Sequence, residues 1–515
     1  MPVRRPSTTL NIIPAEAIIR SEEHRVLVVN QMLTGSATSG ELVENVGDSD
    51  AAINALFGQR SIIANQLRSF KEINTITQID AIGVADASGT AATATITMAG
   101  TSTAAGTYTI EIGSAADHSI TVSIPSGSDA NTAAAAIDTA IQASGNYADA
   151  PYQSAVATAT VTVTAEHDGT IANNWQITVS GTVPGLTPTV VGWANGATDP
   201  VITSVLDVIG SRRYQTILWP SSWDTAVVRT LLDGRFNVTN DIQDGRALQT
   251  VVDSLADLPG LVSGYNSQNM VVIGLQEIDE TLRKGSSVRE FPDVVTAYVG
   301  AVRALRLTQD GNLTQYQTTT AARDQFGSSA LSTLPYFNTA IPQLPVPLPD
   351  DDWTDEEATE LNDDGIAIVA ANPAFNRVIL GEFVTTYLTD NAGNPDTSYH
   401  FLNTVDAVSE VRERFVTNLR ARYAQTRLTD GDIIRGRAMT NPQEIFSYLT
   451  TVRETLVDDA ILAGGPVADN DFLDTTVVEI TDLAAGEVRI DMAPLLVSQL
   501  RAIIGTIQVN FGTNV

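Results

Sequence analysis

Between Lys71 and Arg212 the sequence contains no basic residue, although twelve acids fall within that span. Ala, Thr, Gly and Ser dominate the stretch, and apolar and polar residues alternate in runs such as TATITMAG (93–100) and TYTIEIG (107–113). Alternation with a period of two, in which Thr and Val recur, is typical of strands that bury one face. We therefore predict a small β-rich domain over residues 86–192.

The segments on both sides of this block alternate short apolar strands with amphipathic helices. VLVV (26–29) reads as a buried strand and residues 62–70 as a helix, while MVVIGL (270–275) is a second apolar strand. Strands that alternate with helices are the pattern of an α/β domain. We therefore predict one α/β domain over 26–85 plus 193–345, interrupted by the β-rich insertion.

A stretch rich in proline and then in acids follows the α/β pattern. Proline favours an extended chain and the acids favour solvation, which predicts a linker or long loop over 346–365. A C-terminal α+β domain is predicted over 366–504, with an amphipathic helix at 404–425 and two strands at 476–481 and 486–492. The predicted fold class is therefore α+β and multidomain.

Both ends of the sequence predict extended arms. Residues 1–25 contain three prolines and little apolar sequence that could form a core, and residues 505–515 contain one alternating strand. An isolated strand is not stable, so it must pair with its own domain's sheet or with the sheet of another copy. The second alternative makes the following residues candidates for strand exchange between subunits: Thr506, Ile507, Gln508, Val509, Asn510 and Phe511.

Composition excludes several classes of protein. The 515 residues carry 29 basic and 60 acidic side chains, a net charge of −31, which disfavours binding of nucleic acid. No apolar run reaches the length of a membrane span, and the first residues lack the apolar core of a signal peptide. We expect a soluble protein that is not secreted by the standard route, does not insert into membranes and, having no cysteine, forms no disulfide.

No motif for catalysis, a cofactor or a metal emerges from the sequence. The four histidines have no metal-ligand spacing, and phosphate loops and nucleophile elbows are absent. His167-Asp168-Gly169 could serve acid–base chemistry but is better read as a turn. The acids at 350–357 lack the spacing of a calcium loop and are better read as a solvated loop. We predict that the chain is not an enzyme.

Arginines crowd the predicted helix at 404–425 and the segment after it. Residues 371–440 are neutral in an otherwise strongly acidic chain, and such arginines suit bidentate pairing with an acidic partner surface. Pairs within the helix, with Glu410 and Glu413, are the alternative. The candidate contacts to such a partner surface are Arg412, Arg414, Arg420, Arg422 and Arg427.

Several segments, in order and spacing, resemble the tail sheath proteins of contractile phage tails, most closely a transposable-phage-like branch. The resemblance rests on FPDVVTAYVGAVRAL (291–305), on LNDDGIAIVAANPAFNRVILGEFVTTYLTD (361–390) and on HFLNTVDAVSEVRERFVTNLRARYAQTRLTDGD (400–432). The block that begins ATATITMAGTSTAAGTYTIEIGS (92–114) is similar to the β-rich insertion often found in these sheaths.

The resemblance implies hexameric rings that stack helically around an inner tube, with the C-terminal domain innermost. It implies that the N-terminal arm and the C-terminal strand join the sheets of neighbouring subunits, and that the candidate arginines contact the tube or a neighbouring subunit. The implied partners are copies of the chain, the tube protein, the baseplate and the tail terminator, in a virion assembled in the host cytoplasm. A pyocin-like or type VI secretion sheath is one alternative, and a surface adhesin or carbohydrate-binding protein is another.

Overall fold

The computed structural model describes residues 24–236, 242–277, 288–308, 336, 339–347, 352–372, 376–434 and 436–497. The chain divides into two compact units. The first is Glu23–Asp406, and the described part of the second is 407–497.

The strands of the first unit are β1 (Arg25–Met32), β2 (Leu42–Val43), β3 (Gln78–Ala85), β4 (Ala91–Gly100), β5 (Gly106–Ile112), β6 (Ser114–Ile124), β7 (Tyr152–Ala157), β8 (Thr160–Asp168), β9 (Ile177–Thr182), β10 (Leu186–Ala194), β11 (Thr216–Leu218), β12 (Arg246–Asp253), β13 (Met270–Gln276), β14 (Ile366–Asn372) and β15 (Arg377–Leu380). Its helices are α1 (Asp50–Phe57), α2 (Ile62–Ile73), α3 (Ala130–Gln142), α4 (Ala226–Arg235), α5 (Leu258–Val262), α6 (Pro292–Thr308) and α7 (Asp355–Asp363), with a short 3₁₀ helix at Asp207–Ile209. Helix α8 (Leu402–Tyr423) begins in this unit and continues into the second.

An eight-stranded sheet organises the first unit in the order β15-β14-β13-β12-β11-β1-β3-β2. The strands from β14 to β3 are parallel, and β15 and β2 are antiparallel edges. Val26 and Val28 face one core cluster and Leu27 and Val29 face the other, so both faces of the sheet are covered. The α/β pattern predicted from the sequence is confirmed in this sheet.

Residues 91–194 form two smaller antiparallel sheets, ordered β10-β4-β8-β7 and β6-β5-β9, with α3 packed against them. The chain leaves the large sheet after β3 and returns at β11. The core of this segment is continuous with the core beneath α6, because Phe291 contacts both Trp175 and His118. Whether 86–192 is a separate insertion domain therefore stays a prediction.

Two boundaries predicted from the sequence differ from the structure. The predicted linker at 346–365 contains α7, since Thr354 and Glu357 form a reciprocal capping box and Leu361 is buried. The predicted start of the last domain at 366 falls inside the large sheet, where β14 pairs with β13. The first compact unit consequently runs on to Asp406.

The second unit contains the rest of α8, then β16 (Arg427–Leu428), β17 (Met439–Thr440), α9 (Pro442–Asp458), α10 (Pro466–Thr475), β18 (Val477–Asp482) and β19 (Glu487–Asp491). Asn441 caps α9 by accepting a hydrogen bond from the backbone N–H of Glu444 at 2.9 Å, as the Asn-Pro sequence indicates. Phe415 of α8 stacks on Phe472 of α10 with ring centroids 6.5 Å apart. Helix α9 also packs against β18, the first strand of the hairpin formed by β18 and β19.

The predicted terminal arms fall almost wholly outside the described residues. Of residues 1–25 only the last two are described, and Arg25 already belongs to β1. Residues 505–515, including the candidate exchange strand Thr506–Phe511, lie outside the described part of the chain.

Candidate functional site

His167 has a structural role and is not accessible to a substrate. It is fully buried, and its Nδ1 lies 2.7 Å from Asp86 Oδ1. Its Nε2 accepts a hydrogen bond from the backbone N–H of Ile62 at 3.1 Å, so the proton is on Nδ1. The ring therefore caps the N-terminus of α2, and both nitrogens are already engaged.

A second buried polar group joins the β-rich segment to α6. Ser114 Oγ donates to Glu290 Oε2 at 2.6 Å, and the backbone N–H of Phe291 donates to Glu290 Oε1 at 2.9 Å. Burial raises the pKa of Glu290 to about 8. Burial also lowers the pKa of the neighbouring His118 to about 4, and its Nδ1 lies 3.0 Å from the Tyr152 hydroxyl. Both groups are enclosed in a packed core.

The acidic stretch at 350–357 does not form a calcium loop in its described part. Asp355, Glu356 and Glu357 occupy the first turn of α7, where carboxylates favour the positive end of the helix dipole. Among the described residues there is no cluster of three or more His, Cys, Asp or Glu that could hold a metal ion. The first two acids, at 350 and 351, lie outside them.

The β18–β19 hairpin is the most distinctive feature of the second unit. Its strands pair antiparallel, with Val478 opposite Ile490 and Ile480 opposite Val488. These four apolar side chains are half-buried on one face, while the intervening residues of both strands are exposed. Within the described residues neither strand pairs with a third strand, so each presents an outer edge that can form backbone hydrogen bonds.

An apolar groove lies close to this hairpin in the chain. The groove has a volume of about 310 Å³. One side is formed by α8, at Val411 and Phe415, and the other by the segment after β19, at Met492 and Leu496. Val477, Leu495 and Val497 expose 47%, 56% and 46% of their surfaces. Exposed apolar surface beside open strand edges is typical of an interface with another chain.

The five predicted contact arginines have different environments. Arg414 is buried and paired within its own unit, with Glu410 at 2.7 Å and Asp459 at 3.2 Å. One of these two pairs lies within α8, as in the intrahelical alternative, and whether Arg414 also contacts a partner stays a prediction. Arg422 lies 3.3 Å from Glu444 and over the ring of Tyr448.

The other three arginines lie nearer the surface. Arg412 lines the apolar groove and is half-buried, whereas Arg420 and Arg427 are exposed. Sequence reasoning missed the apolar face of the hairpin as a candidate contact. The alternation in 477–482 and 487–491 could have indicated it, but the openness of the strand edges is visible only in the structure.

No helix in the described part of the chain is long and apolar enough to cross a membrane. No protein-family model matches the chain, and no curated protein matches it. Solved structures do match. A sheath tail protein from Desulfitobacterium hafniense is 12% identical, with a TM-score of 0.48 and coverage of 95% of this chain and 96% of that chain.

Two further matches are also described as sheath proteins. A sheath tail protein from Listeria innocua is 12% identical, with a TM-score of 0.46 and coverage of 93% of this chain and 94% of that chain. The helical sheath of the anti-feeding prophage in its contracted state is 12% identical, with a TM-score of 0.44 and coverage of 99% of both chains. The structural neighbours are thus tail sheath proteins, and the transposable-phage-like branch stays a prediction.

Proposed function

We propose that this chain is a structural subunit of a contractile tail sheath and that it assembles with copies of itself by strand addition. The observation that carries the proposal is the β18–β19 hairpin, whose two outer edges are unpaired in the described residues and whose one face is apolar. The order and spacing of the segments that resemble tail sheath proteins indicate that the assembly is a tail sheath.

The sequence of the candidate strand complements this hairpin. Ile507, Val509 and Phe511 alternate with polar residues, so a strand added at either edge would extend the apolar face formed by Ile480 and Val488. Main-chain hydrogen bonds to the open edge would supply affinity, and the side-chain alternation would set the register.

For one added strand, the favourable and the unfavourable contributions to the free energy of binding are nearly equal. Ordering six residues costs roughly 6–12 kcal/mol of backbone entropy. Full burial of three large apolar side chains contributes about 5–9 kcal/mol, and each backbone hydrogen bond adds roughly 0.5–1.5 kcal/mol. A single exchange is then reversible, while many exchanges in one array hold together.

Contraction would draw on differences between subunit contacts, without a catalytic residue. In the proposed sheath, hexameric rings stack around an inner tube between a baseplate and a tail terminator, in a virion assembled in the host cytoplasm. A gain of about 1–2 kcal/mol per subunit is on the scale of single contacts and sums to hundreds of kcal/mol over roughly a hundred subunits. A pyocin-like or type VI secretion sheath would use the same contacts.

Deletion of residues 505–515 tests the strand exchange. We expect a chain that keeps its circular-dichroism spectrum but no longer forms tubes or stacked rings in negative-stain microscopy. A finer pair of variants is Val509→Asp and Asn510→Asp, which place the same charge on the apolar and the polar face of the strand. Only Val509→Asp should block polymerisation.

The hairpin offers a matched pair of its own. Ile480→Asp alters the half-buried face and Thr481→Asp the exposed face, so only the first should weaken assembly.

Polymerisation that survives the deletion of 505–515 would reject strand exchange. A chain that stays monomeric at high concentration and binds glycans would instead favour an adhesin.

A further inference from the structure

A cleft of about 940 Å³ opens in the first unit, between α7 and the edge of the large sheet at β14 and β15. Its floor is apolar and includes Trp353, Ile368 and Ile379, all of which are buried. The cleft shares no lining residue with the hairpin or the apolar groove. The volume is large enough for several side chains of a docked segment.

Half of the polar side chains that line this cleft are carboxylates. Among the described residues the lining contains no Lys or Arg, and its acids are Asp352, Asp355, Asp363, Glu382 and Asp396. Burial raises the pKa of Asp352, because desolvation disfavours its charged form. The cleft is therefore suited to a cationic occupant.

Three buried polar atoms at the cleft lack a hydrogen-bond partner in the described chain. They are Asp352 Oδ1, Trp353 Nε1 and Asn362 Oδ1. Trp353 is only 7% exposed, and the other oxygen of Asp352 already accepts from the backbone N–H of Ala371 at 2.8 Å. Two hydrogen-bond acceptors and one donor are thus without a partner among the described residues. A peptide segment bearing arginine carries both the N–H groups and the carbonyl acceptor that match them.

Exposed cations are scarce on this molecule. In the described residues the exposed basic side chains are Arg420, Arg427, Arg437 and Arg489, and all four belong to the second unit. Arg489 already pairs with Asp491 at 2.8 Å.

Arg427, Ile434 and Arg437 lie close together, and we call them the arginine surface. The backbone N–H of Arg427 donates to Ala438 O at 2.9 Å, which brings Arg427 next to Arg437. The N–H of Arg437 donates to Ile434 O at 3.2 Å in a turn. Ile434 is 61% exposed, so the surface combines one apolar side chain with two cations.

We propose that the acidic cleft of one copy receives the arginine surface of a second copy. Ile434 enters above the apolar floor, and Arg427 and Arg437 pair with the carboxylate rim. The complementarity is twofold, because an apolar side chain flanked by cations meets an apolar floor flanked by anions. The inference rests on the proposed self-assembly and adds a second contact, which is independent of the strand exchange and sensitive to salt.

Site-specific cross-linking tests the contact directly, because the natural chain has no cysteine. Thr359 lines the cleft, whereas the next residue on α7, Glu360, does not, and both are exposed. Asp432 is exposed and lies two residues from Ile434. Full-length Thr359→Cys or Glu360→Cys is mixed with affinity-tagged Asp432→Cys, assembled, and treated with a short bis-maleimide.

The cleft variant should give about tenfold more tagged heterodimer than the Glu360→Cys control, because docking raises the effective concentration of the two thiols. High salt applied before the reagent should abolish the difference. Equal yields from the two variants in assembled samples, or no cross-link at all in them, would overturn the inference. That result would not affect the proposed sheath function. It would indicate that the cleft binds a basic segment of another protein.

Charge reversal gives a second readout. Asp363→Arg and Arg427→Glu, each exposed, should separately raise the concentration needed for assembly by about tenfold. The double variant should recover, whereas Glu360→Arg should have little effect. Failure of the double variant to recover would count against the contact. A natural chain that sediments as a monomer at every concentration would refute both this contact and the proposed function.

Discussion

The buried carboxyl of Glu290 should make the stability of the first unit fall as pH rises. Its pKa is raised from 4.5 to about 8 in the folded chain because burial disfavours the charged form. Between these values the folded state holds a proton that the unfolded state has released. The free energy of unfolding therefore decreases by about 1.4 kcal/mol per pH unit, and the full shift corresponds to roughly 5 kcal/mol.

Glu290→Gln isolates this contribution. The amide oxygen can still accept from the N–H of Phe291, and the amide nitrogen can donate to Ser114 Oγ, so both contacts survive without a titrating group. Urea unfolding followed by tryptophan fluorescence reports on the region, because Trp175 packs against Phe291 with ring centroids 4.8 Å apart. The difference between natural chain and variant cancels the other titrating groups, including His118.

We expect the stability of the natural chain, relative to Glu290→Gln, to be highest at and below about pH 4.5 and to decline from there up to about pH 8. Parallel profiles for the two proteins over this range would refute the reasoning. They would mean that Glu290 is ionised in the folded chain or reaches water.

Two further predictions concern single side chains. Asp406 pairs with two buried guanidiniums, those of Arg303 at 2.7 Å and Arg246 at 3.6 Å. Asp406→Asn should therefore lower the free energy of unfolding, measured in urea, by about 3–5 kcal/mol. The exposed control, Glu356→Gln, should change it little. A cost below about 1 kcal/mol would show that the guanidiniums find other partners. Asn441→Ala should destabilise α9 by about 1 kcal/mol, measured as faster amide hydrogen exchange in its first turn, and Asn441→Ser should restore protection. Equal exchange in both variants would contradict the cap.

The elements that could be predicted from the sequence are those in which one local pattern decides the structure. The run at 62–70 became α2, and the strands predicted at 476–481 and 486–492 became the hairpin, because periodicity and flanking turns agree there. The Asn-Pro pair at 441–442 likewise lies at the start of α9, where a capping residue followed by proline favours the first turn of a helix.

The errors arise where two local signals compete or where pairing is distant in sequence. Acids and prolines at 346–365 predicted a loop, yet Thr354 and Glu357 cap a helix and Leu361 anchors it in the core. The boundary predicted at 366 falls inside the large sheet, because β14 pairs with β13, which lies about ninety residues earlier in the chain. No local pattern encodes that pairing.

The candidate site shows the same limit. Sequence alone identified the arginines of α8 but not that Arg414 is already paired with Asp459, which follows α9. The acids of the cleft are spread from Asp352 to Asp396, and only the folded sheet edge gathers them around one cavity.

High-resolution electron microscopy of the assembled, full-length protein tests the central claim most directly. The account predicts tubes or stacked rings in which a strand from a sister molecule pairs with an open edge of the β18–β19 hairpin. A map in which residues 506–511 pair only within their own chain, with no sister molecule at either hairpin edge, would contradict it.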